Sequence, residues 1–329
     1  MRNLFELAGT YSRNSRNQKF VEAAVIFPEK KYLIVIGGPT ASGKTALAIR
    51  LAQYFHTEIL SADSRQFYQE MTIGTAKASA EELDMVPHHF INSLSIREAY
   101  NVGDFERDAL ALLAQLYQKH QVVILAGGSS LYIKALCEGL DVFPDVPTQI
   151  REEVEALYQS AGLAALQKEL TQVDPVYFAE VDQSNPHRLI RAISVFRASG
   201  LPFSSFRTQQ AEPRFFTPIY LWLEVPREIL YERINQRVDQ MLEHGLETEA
   251  RSLFEQRHLN ALQTVGYQEL FDYFVGNISR EEAIELIKRN SRRYAKRQGT
   301  WMRRDGFWHL FAPEQWEDIL KFVQSIVSF

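Results

Sequence analysis

Eight consecutive residues have the types and spacing needed to hold a phosphate group. They read Gly38-Pro39-Thr40-Ala41-Ser42-Gly43-Lys44-Thr45 and match the pattern G-x-x-x-x-G-K-[ST]. An apolar run at 32–36 predicts a strand before the motif, and residues 46–52 predict a helix after it, which is the context that this pattern requires. The glycines let backbone N–H groups converge on an anion at a helix N-terminus, where the helix dipole favours negative charge. We therefore predict that this segment, called the P-loop below, binds a phosphate or diphosphate, with Lys44 on its oxygens and the Thr45 hydroxyl on Mg²⁺.

The composition is that of a globular protein. The chain has 329 residues, of which 46% are hydrophobic and 23% charged, values typical of soluble domains. The single cysteine, Cys137, excludes an intrachain disulfide and favours a reducing compartment. No Cys/His cluster indicates zinc, and no apolar run of about 18 residues indicates a membrane span. We expect a cytoplasmic monomer without a membrane partner. Residues 1–30 show no sustained periodicity, and we expect a disordered extension.

Basic residues are concentrated near the C-terminus. The formal net charge is −5, which argues against a uniformly basic nucleic-acid binder. Between 288 and 304, however, the chain carries eight basic residues and no acidic one: Lys288, Arg289, Arg292, Arg293, Lys296, Arg297, Arg303 and Arg304. In a helix, Arg289, Arg293, Lys296, Arg297 and Thr300 would share one face. Because these charges would repel one another, we predict an anion-binding surface rather than a solvated helix face.

The order of apolar runs predicts an α/β fold. Unbroken apolar runs at 58–63, 121–128 and 218–225 follow the first strand, and such runs are typical of parallel strands that are buried on both faces. Helical patterns such as 105–119 alternate with them. The sequence therefore predicts a P-loop core, a parallel sheet flanked by helices.

The middle of the chain predicts a different organisation. Three helical patterns, at 149–161, 163–172 and 186–198, occur without a strand-like run between them. We predict four parts: the extension 1–30, the first part of the core 31–140, a helical insertion domain 141–206, and a final part 207–329. The final part would complete the core and carry basic C-terminal helices, including one long helical pattern at 227–256.

Polar residues follow three of the predicted strands, where ligands bind in open α/β sheets. Besides the P-loop these are residues 63–66 and residues 127–130. Asp63 would be a carboxylate near a bound phosphate, suited to hold Mg²⁺ through water or to act as a general base; it could equally be a turn residue. Arg233 and Arg237 would share a helix face and cover a phosphate, or pair with Glu232 or Asp239.

Three classes of enzyme stay open at this point: a phosphoryl-transfer kinase, an NTP-hydrolysing switch, and an enzyme with diphosphate as leaving group.

Several segments in order resemble the tRNA dimethylallyltransferases (tRNA isopentenyltransferases). Besides the P-loop they are Ser61-Ala62-Asp63-Ser64-Arg65-Gln66-Phe67-Tyr68, Met71-Thr72-Ile73-Gly74-Thr75-Ala76-Lys77, Asn185-Pro186-His187-Arg188-Leu189-Ile190-Arg191-Ala192, Gln263-Thr264-Val265-Gly266-Tyr267-Gln268-Glu269-Leu270 and the basic stretch 289–298. The resemblance covers residues 31–310. It implies transfer of a dimethylallyl group from dimethylallyl diphosphate to N6 of the adenosine 3′ of the anticodon in tRNA. Diphosphate leaves and Mg²⁺ assists, and the P-loop holds the prenyl diphosphate.

The resemblance also implies the role of each candidate catalytic residue. Asp63 would be the base for N6. Lys44, Mg²⁺ held through Thr45, the P-loop amides and Arg237 would stabilise the leaving diphosphate, and Thr40 would touch it. Ser129 would contact the leaving group or the target nucleotide.

The implied partner is the anticodon stem-loop of tRNA, with the adenosine flipped out of the stack. The helical insertion would grip the stem-loop, and the basic stretch would meet its phosphates. The implied RNA contacts are Asp63, Ser64, Arg65, Gln66, Ser129, Arg151, His187, Arg188, Leu189, Ile190, Arg191, Leu262, Gln263, Thr264, Val265, Gly266 and Tyr267.

The chain departs from the family pattern where Gly127-Gly128-Ser129-Ser130 replaces the usual Gly-Gly-Thr-Gly; because Ser129 keeps the hydroxyl, we expect retained function. No C-terminal zinc finger pattern follows, which favours the bacterial type. The alternatives are an adenylate isopentenyltransferase acting on free nucleotide, a catalytically silent RNA-binding paralogue, and a nucleotide kinase. The helical insertion and residues 262–267 favour tRNA, and the intact Lys44, Thr45 and Asp63 favour catalysis.

Overall fold

One parallel sheet forms the centre of the molecule. The computed structural model describes residues 27, 29–207, 213–305 and 307–327, and within these residues six strands pair in the order β3-β2-β4-β1-β5-β6, all parallel. The strands are β1 Tyr32–Gly37, β2 Ile59–Ser61, β3 His88–His89, β4 Val122–Gly127, β5 Thr217–Leu223 and β6 His309–Phe311. The predicted α/β fold with a parallel sheet is confirmed. The expectation for residues 1–30 falls mostly outside the described residues and stays a prediction.

The central strands are apolar on both faces because both faces are covered. In β1, Leu33 and Val35 point into one core, and Ile34 and Ile36 point into the other. The first core contains buried side chains of the third and fourth helices of the chain, and the second those of the first and last helices. Burial on two sides explains why these strands read as continuous apolar runs, and it fixes the position at which β1 ends.

Twelve α-helices are present in the described residues. They are α1 Lys44–Phe55, α2 Ala80–Met85, α3 Val102–Leu116, α4 Ser130–Glu138, α5 Thr148–Val173, α6 Pro175–Glu180, α7 Pro186–Ser199, α8 Arg227–Glu243, α9 Leu246–Ser252, α10 Gln268–Phe274, α11 Arg280–Asp305 and α12 Trp316–Ile326. Short 3-10 turns lie at Phe203–Phe206, Phe254–Gln256 and Asn260–Leu262. None of the described helices has the length and apolar character needed to cross a membrane.

Residues 141–206 are helical, as predicted, and the described structure has no strand there. Helix α5 is interrupted at Gly162 (φ 74°, ψ −175°), where the two predicted helical patterns meet. Helices α5 and α7 share a separate core around Val154 and Leu189, both 0% exposed. The buried Asp174 carboxylate accepts hydrogen bonds from the N–H groups of Tyr177 and Ser204, so it joins α6 to the end of this region. The division of the chain into domains remains a prediction.

One sequence prediction is corrected, and two strands were missed. The single long helix expected at 227–256 is wrong, because α8 ends at Glu243 and the left-handed Gly245 (φ 100°) turns the chain into α9. The short edge strands β3 and β6 were not predicted. Each has two or three residues and begins with histidine, so neither carries the apolar run that marks a buried strand.

The neighbouring Gly127 and Gly128 provide a test of the fold. A Cβ at Gly127 would lie 2.2 Å from the backbone oxygen of Ala62, whereas a Cβ at Gly128 would lie 2.1 Å from Nε2 of Gln298, the end of a flexible side chain. We expect Gly127→Ala to lower the free energy of unfolding by about 3 kcal/mol, because backbone cannot move aside. Gly128→Ala should cost about 1 kcal/mol, roughly one lost hydrogen bond. Thermal denaturation of both variants tests this, and an equal loss in the two would contradict it.

Candidate active site at the carboxyl end of the sheet

A cavity of about 650 Å³ lies at the carboxyl ends of β1, β2 and β4. Its lining contains residues 40–45, 63–66, 74–77, 126–128, 263–266, Arg237 and the α11 residues Tyr294, Arg297 and Gln298. The structure thus brings together most of the residues that were predicted to act on a phosphate or its acceptor. This is the edge of the sheet where the sequence predicted the site.

The P-loop curls between β1 and α1 because two of its residues adopt left-handed backbone, Ala41 at φ 65° and Gly43 at φ 92°. Helix α1 begins at Lys44, so the N–H groups of its first residues have no acceptor within the helix. Among the described residues, the buried Ser42 hydroxyl also has no hydrogen-bond partner. Gly38 and Pro39 lead into the loop. This concentration of unpaired donors favours an anion in the cavity.

Lys44 is the charged group of this loop. Its Nζ donates to the Pro39 carbonyl oxygen at 2.8 Å. Burial lowers the pKa of Lys44 to about 8; the Asp63 carboxylate opposes this shift and the Arg237 guanidinium adds to it. A bound anion would stabilise the ammonium form, because it supplies the negative charge that burial has removed.

Asp63 follows β2 and lies in the cavity. Its Oδ1 accepts a hydrogen bond from the Arg65 N–H at 3.0 Å, so Asp63 also forms the turn that was the alternative interpretation. Burial raises the pKa of the Asp63 carboxyl, and the nearby Lys44 and Arg65 oppose the rise. A carboxylate with a raised pKa in a cleft is a candidate general base.

Ser129 supports the Asp63 turn rather than lining the cavity itself. Its Oγ accepts a hydrogen bond from the Ser64 N–H at 3.0 Å. The Tyr294 side chain lies beside Ser129 and Asp63, and burial raises the pKa of that phenol to about 12. The predicted contact of Ser129 with substrate stays a prediction.

Of the two arginines predicted to cover a phosphate, Arg237 reaches the loop and Arg233 does not. Arg237 Nη1 donates to Thr40 Oγ1 at 3.3 Å, and Arg233 lies 4.0 Å from Glu314 at the surface. Asp239, an alternative partner, pairs with Lys288 at 2.7 Å instead. Arg237 therefore adds a second positive charge to the P-loop.

Gln298 joins the P-loop to the end of β4. Its side-chain oxygen accepts from the Thr40 N–H at 3.0 Å, and its Nε2 donates to the Gly128 carbonyl at 3.0 Å. The sequence placed Gln298 in a resembling segment but gave it no role. Its contacts lie 258 and 170 residues away along the chain, and local pattern carries no signal for them.

Arg65 and Gln66 hold the opposite wall of the cavity. Arg65 donates to the Asn260 carbonyl at 2.9 Å and to the Gln263 carbonyl at 3.4 Å. Gln66 Nε2 donates to the carbonyls of Thr75 and Ala76 at 3.3 and 3.2 Å. Residues 263–266 border the cavity on this side. Arg65 and Gln66, both predicted to contact RNA, therefore also hold the cavity wall in place.

Four of the predicted RNA contacts have buried side chains, and their roles toward RNA stay predictions. The side chains of Leu189, Ile190, Leu262 and Tyr267 are buried in apolar cores, so they support a surface rather than form one. The predicted contacts His187, Arg188 and Arg191 are exposed on α7, and Arg151 is exposed on α5. These four lie outside the cavity lining, and their roles stay predictions.

Helix α11 carries the predicted basic face. Arg289, Arg293, Lys296, Arg297 and Thr300 are all exposed. Lys288 forms an ion pair with Asp239, and Arg292 donates a hydrogen bond to Asn235. The structure does not describe the side chains of Arg303 and Arg304. We call Arg289, Arg293 and Lys296 the basic face below.

Two oxygen donors in the cavity would suit a magnesium ion bound together with a diphosphate. The described residues contain no group of three or more His, Cys, Asp or Glu side chains able to bind a metal by themselves. Thr45 and Asp63 both line the cavity. Because Mg²⁺ in proteins keeps waters and is often bound by one or two carboxylates plus substrate phosphates, this donor set suits it.

The parallel sheet, with a glycine-bounded loop that leads into a Lys-Thr helix N-terminus, defines a P-loop-type phosphate-binding protein. Residues 66–305 match the family model of the IPP transferases, and the chain belongs to this family. It is 50% identical to the tRNA dimethylallyltransferase of Cytophaga hutchinsonii over 295 residues, covering 90% of this chain and 97% of that protein. It is also 50% identical to that of Christiangramia forsetii over 299 residues, covering 90% and 99%.

Solved structures agree with this assignment. The tRNA isopentenylpyrophosphate transferase from Bacillus halodurans matches with a TM-score of 0.67 and 37% identity, over 90% of this chain and 96% of that one. A eukaryotic dimethylallyltransferase acting on tRNA matches with a TM-score of 0.75 and 26% identity, over 88% and 76%. The family resemblance and its bacterial type are confirmed.

The lowered pKa of Lys44 predicts how anion binding changes with pH. Above its pKa of about 8 the ammonium is lost, so we expect the affinity for inorganic pyrophosphate to weaken between pH 7 and pH 9, by at most about tenfold per pH unit. An arginine at position 44 stays charged in this range, so the Lys44→Arg protein should not show this loss of affinity between pH 7 and pH 9. Isothermal titration calorimetry on both proteins measures the difference, and identical pH profiles would rule out the role of Lys44.

Proposed function

We propose that the protein transfers the dimethylallyl group from dimethylallyl diphosphate to N6 of the adenosine 3′-adjacent to the anticodon in tRNA, with release of diphosphate. The observation that carries this proposal is that one cavity contains both an anion-binding P-loop and the Asp63 carboxylate. The names of the relatives support the same reaction.

The donor would lie on the P-loop side of the cavity. The α1 amides, Lys44 and Arg237 are positioned to hold a diphosphate, and they would stabilise the negative charge that grows on it as the bond to carbon breaks. Bound Mg²⁺, held by the diphosphate and Thr45, would neutralise further charge. Thr40 is already engaged by Arg237 and Gln298, so its side chain would help orient Arg237 toward the leaving group.

The acceptor would approach Asp63. The lone pair of adenine N6 is delocalised into the ring, which makes it a poor nucleophile. In the proposed step N6 bonds to C1 of the dimethylallyl group, the C1–O bond breaks with its electron pair on diphosphate, and the N6 proton passes to Asp63. The raised pKa of the Asp63 carboxyl makes it a better proton acceptor than an ordinary aspartate.

The tRNA would be held at three places. The target adenosine must leave the stack to reach the cavity, where Ser64 and residues 263–266 border it. The basic face of α11 would meet backbone phosphates. The exposed residues His187, Arg188 and Arg191, with Arg151, would contact the anticodon stem-loop from the helical region 141–206. We further propose that the enzyme works as a cytoplasmic monomer.

Asp63→Asn tests the base. We expect turnover on tRNA with labelled dimethylallyl diphosphate to fall about 10²- to 10⁴-fold, while the Kd for tRNA stays within about twofold, since the amide keeps the side-chain shape. Asp84→Asn, an exposed aspartate on α2, is the matched control and should behave as wild type.

Undiminished turnover in Asp63→Asn would remove the base assignment. The wild-type assay runs with tRNA, AMP and ATP in parallel. Prenylation of AMP in preference to tRNA would overturn the proposed acceptor, and ATP consumption without prenyl transfer would overturn the reaction.

The basic face is tested by replacing Arg289, Arg293 and Lys296 together with glutamine. Each lost phosphate contact should reduce the slope of log Kd for tRNA against log salt by about 0.7–0.9, so we expect weaker binding and a flatter salt dependence. The control replaces three exposed lysines elsewhere, Lys30, Lys119 and Lys321. An unchanged slope in the first variant would mean that this face is only a solvated surface.

A further inference from the structure

The Glu249 carboxylate joins two segments of the cavity wall that are far apart in sequence. Its Oε2 accepts hydrogen bonds from the N–H groups of Thr72 and Ile73 at 3.0 and 2.8 Å. Its Oε1 accepts from the Gly74 N–H at 2.9 Å and from the Tyr267 hydroxyl at 2.6 Å. Four donors on one carboxylate use its full accepting capacity.

The segments that Glu249 joins are residues 71–77 and residues 263–268. Residues 74–77 and 263–266 line the cavity. They also touch directly, because a Cβ at Gly74 would lie 2.6 Å from the Tyr267 ring. The Tyr267 ring is fully buried, and burial together with the Glu249 carboxylate raises the pKa of the phenol, so it stays protonated and donates.

The same wall is tied to the turn that contains Asp63. Gln66 lies three residues after Asp63, and its Nε2 donates to the carbonyls of Thr75 and Ala76. Segment 71–77 therefore has two anchors. Gln66 holds its carbonyl oxygens on the Asp63 side, and Glu249 holds its N–H groups on the side of residues 263–268.

We infer that Glu249 is a positioning residue for the acceptor. It sets the distance between the two wall segments that face Asp63, and none of the contacts described above joins it to the P-loop. This inference rests on the proposed function, in which that wall receives the target adenosine. Loss of Glu249 should then impair the use of tRNA and leave the binding of dimethylallyl diphosphate unchanged.

Glutamine is the informative replacement at this position. It keeps the shape of glutamate but has one acceptor oxygen, and its NH₂ group would face either two backbone N–H groups or the Gly74 N–H and the Tyr267 hydroxyl. Glu247, two residues earlier on α9, pairs with Arg280 at 2.8 Å and with Arg251 at 3.7 Å at the surface. Glu247→Gln is therefore the matched control from the same helix.

In steady-state assays, we expect Glu249→Gln to lower kcat/KM for tRNA about 10- to 100-fold, as a displacement of about 1 Å would. Its Kd for dimethylallyl diphosphate should stay within about twofold of wild type, and Glu247→Gln should match wild type in both. Wild-type kcat/KM in Glu249→Gln, or an equal loss of diphosphate binding, would overturn the inference.

Tyr267→Phe removes one of the four donors and serves as a milder variant if Glu249→Gln does not fold. It should lower kcat/KM for tRNA several-fold without changing the Kd for dimethylallyl diphosphate, and wild-type kinetics would count against the inference.

Amide hydrogen exchange gives a readout that does not depend on the reaction. Residues 71–77 should exchange faster in Glu249→Gln than in Glu247→Gln, and equal protection would overturn the inference. If the wild-type enzyme failed to prenylate tRNA, the proposed function would fall while the exchange result still judged the role of Glu249.

Discussion

The site depends on a set of backbone donors and a buried ammonium group that the protein alone does not satisfy. The first N–H groups of α1 have no acceptor within the helix, the buried Ser42 hydroxyl has no partner among the described residues, and burial lowers the pKa of Lys44 beside them. The loop starts directly after β1, whose side chains are buried on both faces of the sheet. An anion in the cavity would supply the missing acceptors and the missing negative charge.

The surrounding residues separate the cavity into two sides. On the P-loop side, Arg237 and Gln298 contact Thr40 and hold the loop that would carry the diphosphate. On the other side, Gln66 and Glu249 hold the wall next to Asp63. Asp63 lies between them, close enough to Lys44 for the two charges to influence each other's pKa. Such a separation would let donor and acceptor be held at the same time in a reactive orientation.

The sequence predicted the parts of the structure that local pattern determines. The P-loop, the strands β1, β2, β4 and β5 and the predicted helices of region 141–206 follow from apolar runs, glycine positions and helical periodicity, and the structure confirms these elements. The helix expected at 227–256 was wrong because Gly245, which breaks it, lies inside an otherwise helical pattern. The strands β3 and β6 have two and three residues, and none of these residues is buried, so neither strand shows the apolar run of a central strand.

The candidate site was predictable only where a motif contains its residues. Asp63 and Lys44 belong to such motifs, and the structure brings them together. Glu249 lies outside the matching segments and Gln298 lies in one that gave it no role. Both act through hydrogen bonds to backbone groups more than 160 residues away, and a single sequence carries no record of such pairs. Membership of a matching segment also does not show that a side chain is accessible: Leu189 and Tyr267 belong to such segments, yet their side chains are buried.

The contact of Gln298 with Thr40 and Gly128 has a consequence for how the enzyme behaves in different solutions. A carboxamide has no charge to gain or lose, so neither acidity nor salt weakens this bridge between the two loops. The neighbouring Lys44 and Asp63 do change protonation state. This bridge is thus indifferent to conditions that change the charge of Lys44 and Asp63, whereas the wall beside Asp63 is held through the charged Glu249 carboxylate.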